Sequence, residues 1–435
     1  MPLSRYLKIF PYPENPDHSI VYSTRTTSLV ILCDEAIEAL KLGEESVEIA
    51  EPLRNLGILV DNTVKEREGV FGMLDEINRL SPNLRAAVIL TLDCNFNCVY
   101  CFEGTLKDKL YMSREKADQV VAFFEERLKP VHKRCILDFY GGEPLLSVKM
   151  IKYLCMRMQE VMAKKGGEYE CNLVTNGSLL TEKTVRELLP LGLKHAKITI
   201  DGPPDIHNTT RPFKSGQPSF EVIVTNIKAC CNLVPITVSG NYTEENYHRF
   251  PELLDRLKAE GITPEKLENI KFNPVIRTTD QYSLQEFAGG CTCADEPWIA
   301  EAAIILREEI LKRGYPVDKP SPQICMIDVD ESHVIHYNGD LYKCMPLIGH
   351  EQFKAGDIRS GINDFSKAYC KGHWQKEEKC RECEYLPLCF GGCRYMVFER
   401  QGDMNGIQCQ KTFFDRSLET FLRQEVGQRS EDGSR

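Results

Sequence analysis

The chain has 435 residues, of which 42% are hydrophobic, and carries a formal net charge of −10. A chain of this length exceeds one ordinary hydrophobic core and predicts two or three domains. The acidic balance, without a basic tract, argues against a nucleic-acid partner. The chain has no run of about 18 apolar residues, so we expect no membrane span. The N-terminal segment lacks the apolar core of a secretory signal, so we expect a cytoplasmic protein.

Nineteen cysteines are many for a chain of this length. A disulfide framework and a metal protein are the two interpretations that compete. Disulfides need an oxidising compartment, for which the sequence gives no export signal. Because the number of cysteines is odd and many of them lie close together, the pattern favours metal or cluster ligation.

Residues 1–82 have the pattern of a separate small unit. Alternating residues predict strands, and Asp34 can cap a helix that Gly43 stops. The predicted order is two strands, two helices and a strand, at residues 18–23, 27–33, 34–42, 46–56 and 57–61. This order predicts a winged-helix-like domain.

Between residues 83 and 287 the pattern changes to an alternation of strands and helices. Six predicted strands with helix-length crossovers predict a parallel sheet curved into a partial (β/α)6 barrel, and therefore an α/β fold. The strands are predicted at residues 86–92, 135–140, 170–175, 196–200, 235–240 and 270–275. Barrels of this type carry their chemistry at the carboxyl ends of the strands.

The unusual segments of the sequence follow these predicted strand ends. Because parallel strands end on one rim of a barrel, we expect the segments to meet there. They are, in chain order, a cysteine triplet, Gly-Gly-Glu-Pro at 141–144, Asn-Gly-Ser at 176–178, Asp-Gly-Pro at 201–203 and Gly-Asn at 240–241.

After residue 288 the alternation stops and cysteines dominate. Loops that bind clusters need little regular structure, because metal bonds replace part of the hydrophobic core. We therefore expect a cysteine-rich domain over residues 288–426. The polar residues 427–435 are expected to form a disordered tail.

The upstream triplet, which consists of Cys94, Cys98 and Cys101, places three thiols on one short loop. A 4Fe–4S cubane normally takes four thiolates, so three would leave one iron open to an exogenous ligand. An open position implies chemistry at the metal, as it does in catalytic zinc sites. Zinc binding, or a ferredoxin-like electron carrier with a distant fourth cysteine, is the alternative.

The sequence Cys-Asn-Phe-Asn-Cys-Val-Tyr-Cys-Phe at 94–102 resembles the signature of radical S-adenosylmethionine (SAM) enzymes. The resemblance covers about residues 85–410. It implies a 4Fe–4S cluster on the upstream triplet, with SAM on the open iron. It also implies that reductive cleavage of SAM gives a 5′-deoxyadenosyl radical, which abstracts hydrogen from an unactivated carbon.

The resemblance further implies which residues bind SAM. Gly142 and Glu143 match a Gly-Gly-Glu motif near the SAM amino group, where glycine permits close backbone approach and a carboxylate accepts from an ammonium. Thr199 and Arg211 match a segment that holds SAM through a hydroxyl and a guanidinium, with Arg211 pairing with the carboxylate. Three more residues are expected in the pocket, the first two near the adenine: Tyr100, Phe272 and Asn176.

The downstream cysteines resemble a SPASM domain, an extension that binds two auxiliary 4Fe–4S clusters, for a total of three clusters. All seven positions of that pattern are present, and a zinc ribbon is the alternative. The resemblance divides the ligands into two sets. The first auxiliary set is Cys325, Cys344 and Cys393, and the second auxiliary set is Cys380, Cys383, Cys389 and Cys409.

Some relatives carry a further cysteine six residues before the position of Cys325, where this chain has Lys319. The first auxiliary cluster is therefore expected either to keep an open iron, which could bind a substrate thiolate, or to take Cys291 or Cys293. The other cysteines lack ligand spacing, and most are expected to be inert core residues. They are Cys33, Cys135, Cys155, Cys171, Cys230, Cys231 and Cys370.

Three functions compete for this constellation. They are a maturase that installs a thioether or carbon–carbon crosslink in a ribosomally made peptide, a sulfatase-maturating enzyme that forms formylglycine, and a non-catalytic iron–sulfur electron carrier. Sulfatase maturases carry a proposed Asp base directly after the cysteine that matches Cys344, where this chain has Met345. They also usually begin close to the cysteine triplet, whereas more than ninety residues precede it here.

The N-terminal unit favours the peptide maturase. Peptide maturases often carry a winged-helix domain, and such a domain can bind an extended leader by adding it to a sheet edge. Residues 1–82 resemble the N-terminal part of geopeptide-type maturases, with a cap that only packs on the barrel as the alternative. The resemblance implies a precursor peptide with a leader as partner and reduced flavodoxin or ferredoxin as electron donor. The sequence identifies no catalytic base.

Overall fold

Three regions follow one another along the chain: an N-terminal unit, a barrel and a cysteine-rich region. A computed structural model describes residues 1–44, 47–278, 287, 289–363 and 370–431. None of the helices in these ranges is long and apolar enough to cross a membrane.

The N-terminal unit is a three-stranded antiparallel sheet followed by three helices. Its strands, in the spatial order of the sheet, are β1 (Leu7–Pro11), β2 (His18–Ser23) and β3 (Leu29–Cys33). Its helices are α1 (Asp34–Leu42), α2 (Val47–Asn55) and α3 (Thr63–Leu80). The side chain of Asn62 caps α3 by accepting from the backbone N–H groups of Val64 and Lys65.

This order differs from the prediction in two respects. The expected closing strand at 57–61 does not form, and Leu59 makes only an isolated bridge to Leu3. Its apolar residues instead fill the core of the unit, where Ile58 and Leu59 are fully buried. The strand β1 and the long helix α3 were not predicted; α3 buries only a narrow stripe, which gives a weak helical signal in sequence.

The barrel confirms the predicted alternation of strands and helices. Its six parallel strands are β4 (Asn83–Ile89), β5 (Arg134–Tyr140), β6 (Glu168–Thr175), β7 (Leu193–Thr199), β8 (Ile236–Tyr242) and β9 (Asn269–Pro274). Its helices are α4 (Arg114–Arg127), α5 (Val148–Lys165), α6 (Glu182–Leu188), α7 (Pro204–Thr210), α8 (Phe220–Cys230) and α9 (Phe250–Ala259). Consecutive strands lie side by side, so all six carboxyl ends share one rim.

The cysteine-rich region extends the barrel sheet beyond β4. Strand β10 (Ser332–Ile335) pairs in parallel with β4, and β11 (Asp340–Tyr342), β12 (Gly356–Asp357) and β13 (Gly361–Ile362) continue it antiparallel. The helices of this region are α10 (Pro297–Lys312), α11 (Glu378–Arg381), α12 (Leu386–Cys389), α13 (Arg394–Gln401) and α14 (Lys411–Glu431). The expectation of a disordered tail from residue 427 is therefore wrong as far as residue 431, because α14 continues to that point.

The N-terminal unit packs on the cysteine-rich region. The fully buried ring of Trp374 lies edge-on to Phe71 of α3, with 5.4 Å between the ring centroids. Beside it, the Thr24 hydroxyl donates to the carbonyl oxygen of Glu384 at 2.5 Å. The two regions thus share a core, and removal of the whole unit would expose apolar surface.

Candidate active site

A cavity of about 540 Å³ lies at the carboxyl ends of the barrel strands. This volume falls within the usual range of small-molecule sites, about 300–1,000 Å³. The upstream triplet lines it, and Pro346 and Tyr395 of the cysteine-rich region also contribute to its wall. The cavity brings together five of the residues predicted to bind SAM: Tyr100, Gly142, Asn176, Thr199 and Arg211.

The thiols of the upstream triplet are protected from solvent. Cys94 and Cys98 are buried and Cys101 is half-buried. Burial raises the pKa of the Cys94 thiol to about 12, so binding of a metal cluster must displace its proton. Two N–H donors hold the Cys94 sulfur in place: the backbone of Phe96 at 3.4 Å and the Asn176 amide at 3.9 Å.

The Tyr100 hydroxyl is the centre of a buried network beside the triplet. It donates to the Asp201 carboxylate, and it accepts from Arg211 Nη1 at 2.7 Å and from Asn241 Nδ2 at 3.0 Å. Burial disfavours the charge of Arg211, but the charges of Cys98, Tyr100 and Asp201 outweigh this and hold the pKa of Arg211 well above its usual value. The guanidinium therefore stays charged at the cavity wall.

A second set of contacts fixes the backbone of Arg211. The Asp201 N–H donates to His207 Nδ1, so His207 Nε2 carries the ring proton and donates to Ser219 Oγ. Ser219 Oγ in turn donates to the Arg211 carbonyl at 2.6 Å. Burial, and next the Arg211 charge, hold the pKa of His207 well below its usual value, so this neutral tautomer persists.

Glu143 does not line the cavity. Its carboxylate is fully buried and accepts from Leu145 N at 3.0 Å, Thr175 Oγ1 at 2.7 Å and Asn176 N at 2.8 Å. Burial raises its pKa although these hydrogen bonds oppose the shift. Both carboxylate oxygens thus tie the end of β5 to the end of β6, and the expected contact with the SAM amino group stays a prediction.

Gly142 occupies a place where no larger residue fits. A Cβ at this position would lie 2.1 Å from the Asp93 carbonyl oxygen and 2.5 Å from that of Leu92. The backbone after β5 therefore runs directly against the backbone that leads into the upstream triplet. This close approach is the structural reason for glycine in the Gly-Gly-Glu motif.

Phe272 does not line the cavity, and its expected place near the adenine stays a prediction. Its ring packs edge-on against Phe250 of α9, with the centroids 4.8 Å apart, and it lines a separate cavity beside α10 and α14. Its neighbours on β9, Lys271 and Asn273, are the residues that reach the first cavity.

Several residues at the cavity were not singled out from the sequence as site residues. The carboxyl of Glu103 is buried with one oxygen unpartnered among the described residues, and burial raises its pKa to about 7. Lys107, Lys197 and Asn241 also line the wall. Asn241 was detectable because it ends a predicted strand; Lys197 lies inside a strand and carried no motif.

These residues fit a cluster and SAM. Three thiols on one loop open into the cavity, which leaves the fourth iron of a cubane without a protein ligand from that loop. The Nε atom of Arg211 is buried and has no partner among the described residues, so it remains available to an anionic group. Because Gly142 has no side chain and its backbone lies against that of Asp93, this part of the cavity wall consists of main-chain groups.

The downstream cysteines affect one another within two groups, and the cluster that each group would hold stays a prediction. Burial raises the pKa of Cys389 to about 12, and its neighbours Cys383, Cys380 and Cys409 contribute to the increase. Burial likewise raises the pKa of Cys344, with added effects of two thiols, Cys325 and Cys393. Within the described ranges, no three Cys, His, Asp or Glu side chains are arranged to hold a single metal ion.

Cys291 is better placed than Cys293 to join the first auxiliary set. It is 1% exposed, packs in the same apolar cluster as Cys393 and is affected by the Cys393 charge. Cys293 is half-buried, and its own neighbouring charges are Asp295 and Glu296. Lys319 points elsewhere and pairs with a carboxylate of α14 at 2.8 Å.

Comparison with known proteins agrees with the geometry. Residues 88–257 match the radical SAM superfamily. The chain is 23% identical to the PqqA peptide cyclase of Granulibacter bethesdensis over 76% of this chain and 87% of that protein. It is 21% identical to the cysteine-type anaerobic sulfatase-maturating enzyme of Clostridium perfringens over 69% of this chain and 86% of that protein.

A solved structure extends the similarity to nearly the whole fold. SuiB of Streptococcus suis bound to its precursor peptide SuiA superposes with a TM-score of 0.55 at 14% identity, covering 94% of this chain and 98% of SuiB. Residues 88–257 thus form a radical SAM domain, and relatives of the chain include a peptide cyclase and a sulfatase-maturating enzyme. Such a domain implies SAM and a 4Fe–4S cluster, and the chain is an enzyme, so the alternative of a non-catalytic electron carrier is wrong.

Replacement of Gly142 by Ala should abolish SAM cleavage while the protein remains folded. The added methyl group collides with two carbonyl oxygens, so the loop that carries the upstream triplet must move. The measurement is 5′-deoxyadenosine formation by reconstituted protein under a chemical reductant. Gly69→Ala is the matched control, because its Cβ meets open space; equal activity of both variants would contradict the close approach.

Replacement of the whole upstream triplet by Ala should remove one cluster of three. Reconstituted wild-type protein is expected to bind about twelve irons per chain, and the variant about eight. Formation of 5′-deoxyadenosine should cease in the variant. The control replaces Cys33, Cys231 and Cys370 by Ala and should keep about twelve irons; about four irons in the wild type would refute both auxiliary sets.

Proposed function

We propose that this enzyme is a maturase that installs a thioether or carbon–carbon crosslink in a ribosomally synthesised precursor peptide. The observation that carries the proposal is the open edge of β3 in the N-terminal unit. Strand β3 pairs only with β2 among the described residues. An extended leader can add to such an edge through main-chain hydrogen bonds.

The pairing pattern identifies the groups that face outward on this edge. Ser23 N donates to Ser28 O, so these two residues form a hydrogen-bonded pair of the β2–β3 hairpin. Hydrogen-bonded and non-bonded pairs alternate along the two strands from this pair. Ile31 falls on a non-bonded pair opposite Ile20, and its N–H and C=O therefore point away from β2. Its side chain is 37% exposed.

When bound, the cluster and SAM together supply a 5′-deoxyadenosyl radical, which abstracts a hydrogen atom from a substrate carbon. The upstream triplet would hold the cluster, and Asn176 orients the Cys94 sulfur. Arg211 would hold the SAM carboxylate, with Tyr100 and Asp201 fixing the guanidinium. The surrounding wall encloses the substrate carbon and limits access of water.

The two auxiliary sets would each hold a further cluster, with Cys291 as the fourth ligand of the first. These clusters would accept the second electron of the reaction, or bind a substrate thiolate before bond formation. Pro346 follows the first auxiliary set and lines the cavity, which supports a position of that cluster near the substrate. Reduced flavodoxin or ferredoxin would reduce the SAM-binding cluster.

A sulfatase-maturating enzyme is the second candidate, favoured by the similarity to the enzyme of Clostridium perfringens. Sulfatase maturases have a proposed Asp base at the position that Met345 occupies in this chain. The nearby Asp340 pairs with Lys354 at 2.6 Å and does not line the cavity. The absence of a carboxylate at this position among the described residues supports the crosslinking maturase.

Anaerobic reaction of the enzyme with SAM and the peptide encoded beside its gene should remove two hydrogen atoms per crosslink. The measurement is mass spectrometry before and after reaction, with fragmentation. A crosslink suppresses fragments between the joined residues, and a thioether also consumes an alkylatable thiol.

Treatment of the product with a hydrazide separates the two candidates. Formylglycine is an aldehyde and forms a hydrazone, whereas a crosslinked peptide does not react. A hydrazide-reactive product would favour the sulfatase-maturating function, and an unchanged peptide mass with the wild-type enzyme would refute the proposal.

Replacement of Ile31 by Pro should weaken leader binding at least tenfold, because it removes an outward N–H from the β3 edge. Ile9→Pro is the matched control: Ile9 lies on the opposite edge strand β1, is 38% exposed, and also falls on a non-bonded pair. Fluorescence anisotropy of a labelled leader measures both affinities. Equal affinity of the two variants would remove the β3 edge as the recognition site.

A further inference from the structure

The interior of the barrel below the rim is polar. On β7, Lys197 and Thr199 both line the cavity, and the spacing of a strand places Lys197 about 7 Å deeper than Thr199. On the other side of β8, Lys271 of β9 lines the same space. Thr199 pairs with Ser239 of β8, and Ser239 pairs with Lys271, so Lys271 lies level with Thr199 and Lys197 is the deeper of the two lysines.

Lys197 differs from the other cations of the wall. Arg211 donates to Tyr100, Lys271 pairs with Asp318 at 3.2 Å, and Lys107 donates to a backbone carbonyl. Lys197 makes no hydrogen bond or ion pair within the described part of the chain, although it is half-buried. Burial, and next the charge of Lys271, lower its pKa, while Asp318 opposes them.

An uncompensated ammonium at a half-buried position costs free energy that an anionic ligand would offset. The neighbouring Lys271 adds a weaker attraction for such a ligand, because its side chain is 46% exposed and pairs with Asp318. A carboxylate matches this site, since it can accept from both ammonium groups.

We propose that Lys197, assisted by Lys271, binds the side-chain carboxylate of an aspartate or glutamate in the peptide substrate. The inference rests on the proposed peptide-maturase function and adds a substrate class to it. The carboxylate of SAM is the other source of this chemistry. Arg211 at the rim already provides a guanidinium for that group, and Lys197 lies deeper in the cavity than the rim.

The test compares Lys197→Met with Lys194→Met in reconstituted full-length enzyme. Lys194 lies on the same strand but is exposed, so it is a matched control. The probe is the precursor peptide, together with versions in which each core Asp or Glu is replaced by Asn or Gln. Dissociation constants for peptide and SAM are measured separately, and urea unfolding is followed without ligand.

Lys197→Met should weaken binding of the unmodified peptide at least tenfold, the size expected for loss of a charged hydrogen bond. SAM affinity should stay unchanged, and the unfolding midpoint should not fall, because Lys197 has no intramolecular partner to lose. One Asp→Asn or Glu→Gln peptide should show the same weakening with wild-type enzyme and no further loss with Lys197→Met. Lys194→Met should behave as wild type.

Three results would overturn the inference. Peptide affinity of Lys197→Met equal to wild type would show that Lys197 does not contact the substrate. A loss of SAM affinity alone would assign the ammonium to the SAM carboxylate. If Lys197→Met and the Asp→Asn or Glu→Gln change in the peptide weakened binding additively when combined, the acidic residue would bind elsewhere. Failure of the proposed function is distinct from these, because the wild-type enzyme would then leave the peptide mass unchanged.

Discussion

The active-site rim depends on one buried carboxylate. Glu143 has no exposed surface and accepts three hydrogen bonds, from Leu145, Thr175 and Asn176. A carboxylate without partners would be costly to bury, so the loops after β5 and β6 must keep the arrangement that satisfies it. The Asn176 side chain is thereby held toward the sulfur of Cys94, so a fully buried carboxylate positions a residue of the cavity wall.

The loop of the upstream triplet is held from two sides. On one side the backbone at Gly142 lies against Asp93, directly before the triplet. On the other side Tyr100, within the loop, joins Asp201 and Asn241 at the ends of the following strands. Contacts from three strand ends therefore fix the loop before any ligand binds, which limits the cost of ordering it when a cluster and SAM are bound.

The sequence predicted the barrel and the rim well because both follow from local patterns. Parallel strands buried on both faces are near-continuous apolar runs, and the topology then assigns the motifs to one edge. Contacts of long sequence separation were not predictable: β10 has only four residues and pairs with a strand about 250 residues earlier. The same holds for the end of α14, where Leu422 and Val426 pack on the N-terminal sheet in spite of polar neighbours.

Side-chain direction was the second limit. A motif match gave Glu143 and Phe272 contacts with SAM, but it did not reveal which way each side chain points. Glu143 turns inward because three donors surround it, and Phe272 packs on Phe250. Lys197 had no signal at all, since a lysine within a strand usually faces solvent and only closure of the barrel turns it toward a cavity.

Overall charge and local charge act on the peptide at different stages. The chain is acidic, with a net charge of −10, yet within the described part of the chain the cavity wall carries four cations against the single carboxylate of Glu103. Surface repulsion is screened beyond about 8 Å at physiological salt, whereas an ion pair inside the cavity is screened much less. In the proposed maturase, main-chain pairing at the β3 edge would tolerate many leader sequences. Selection of the modified residue would therefore fall to the cavity, where one misplaced or missing charge changes affinity most.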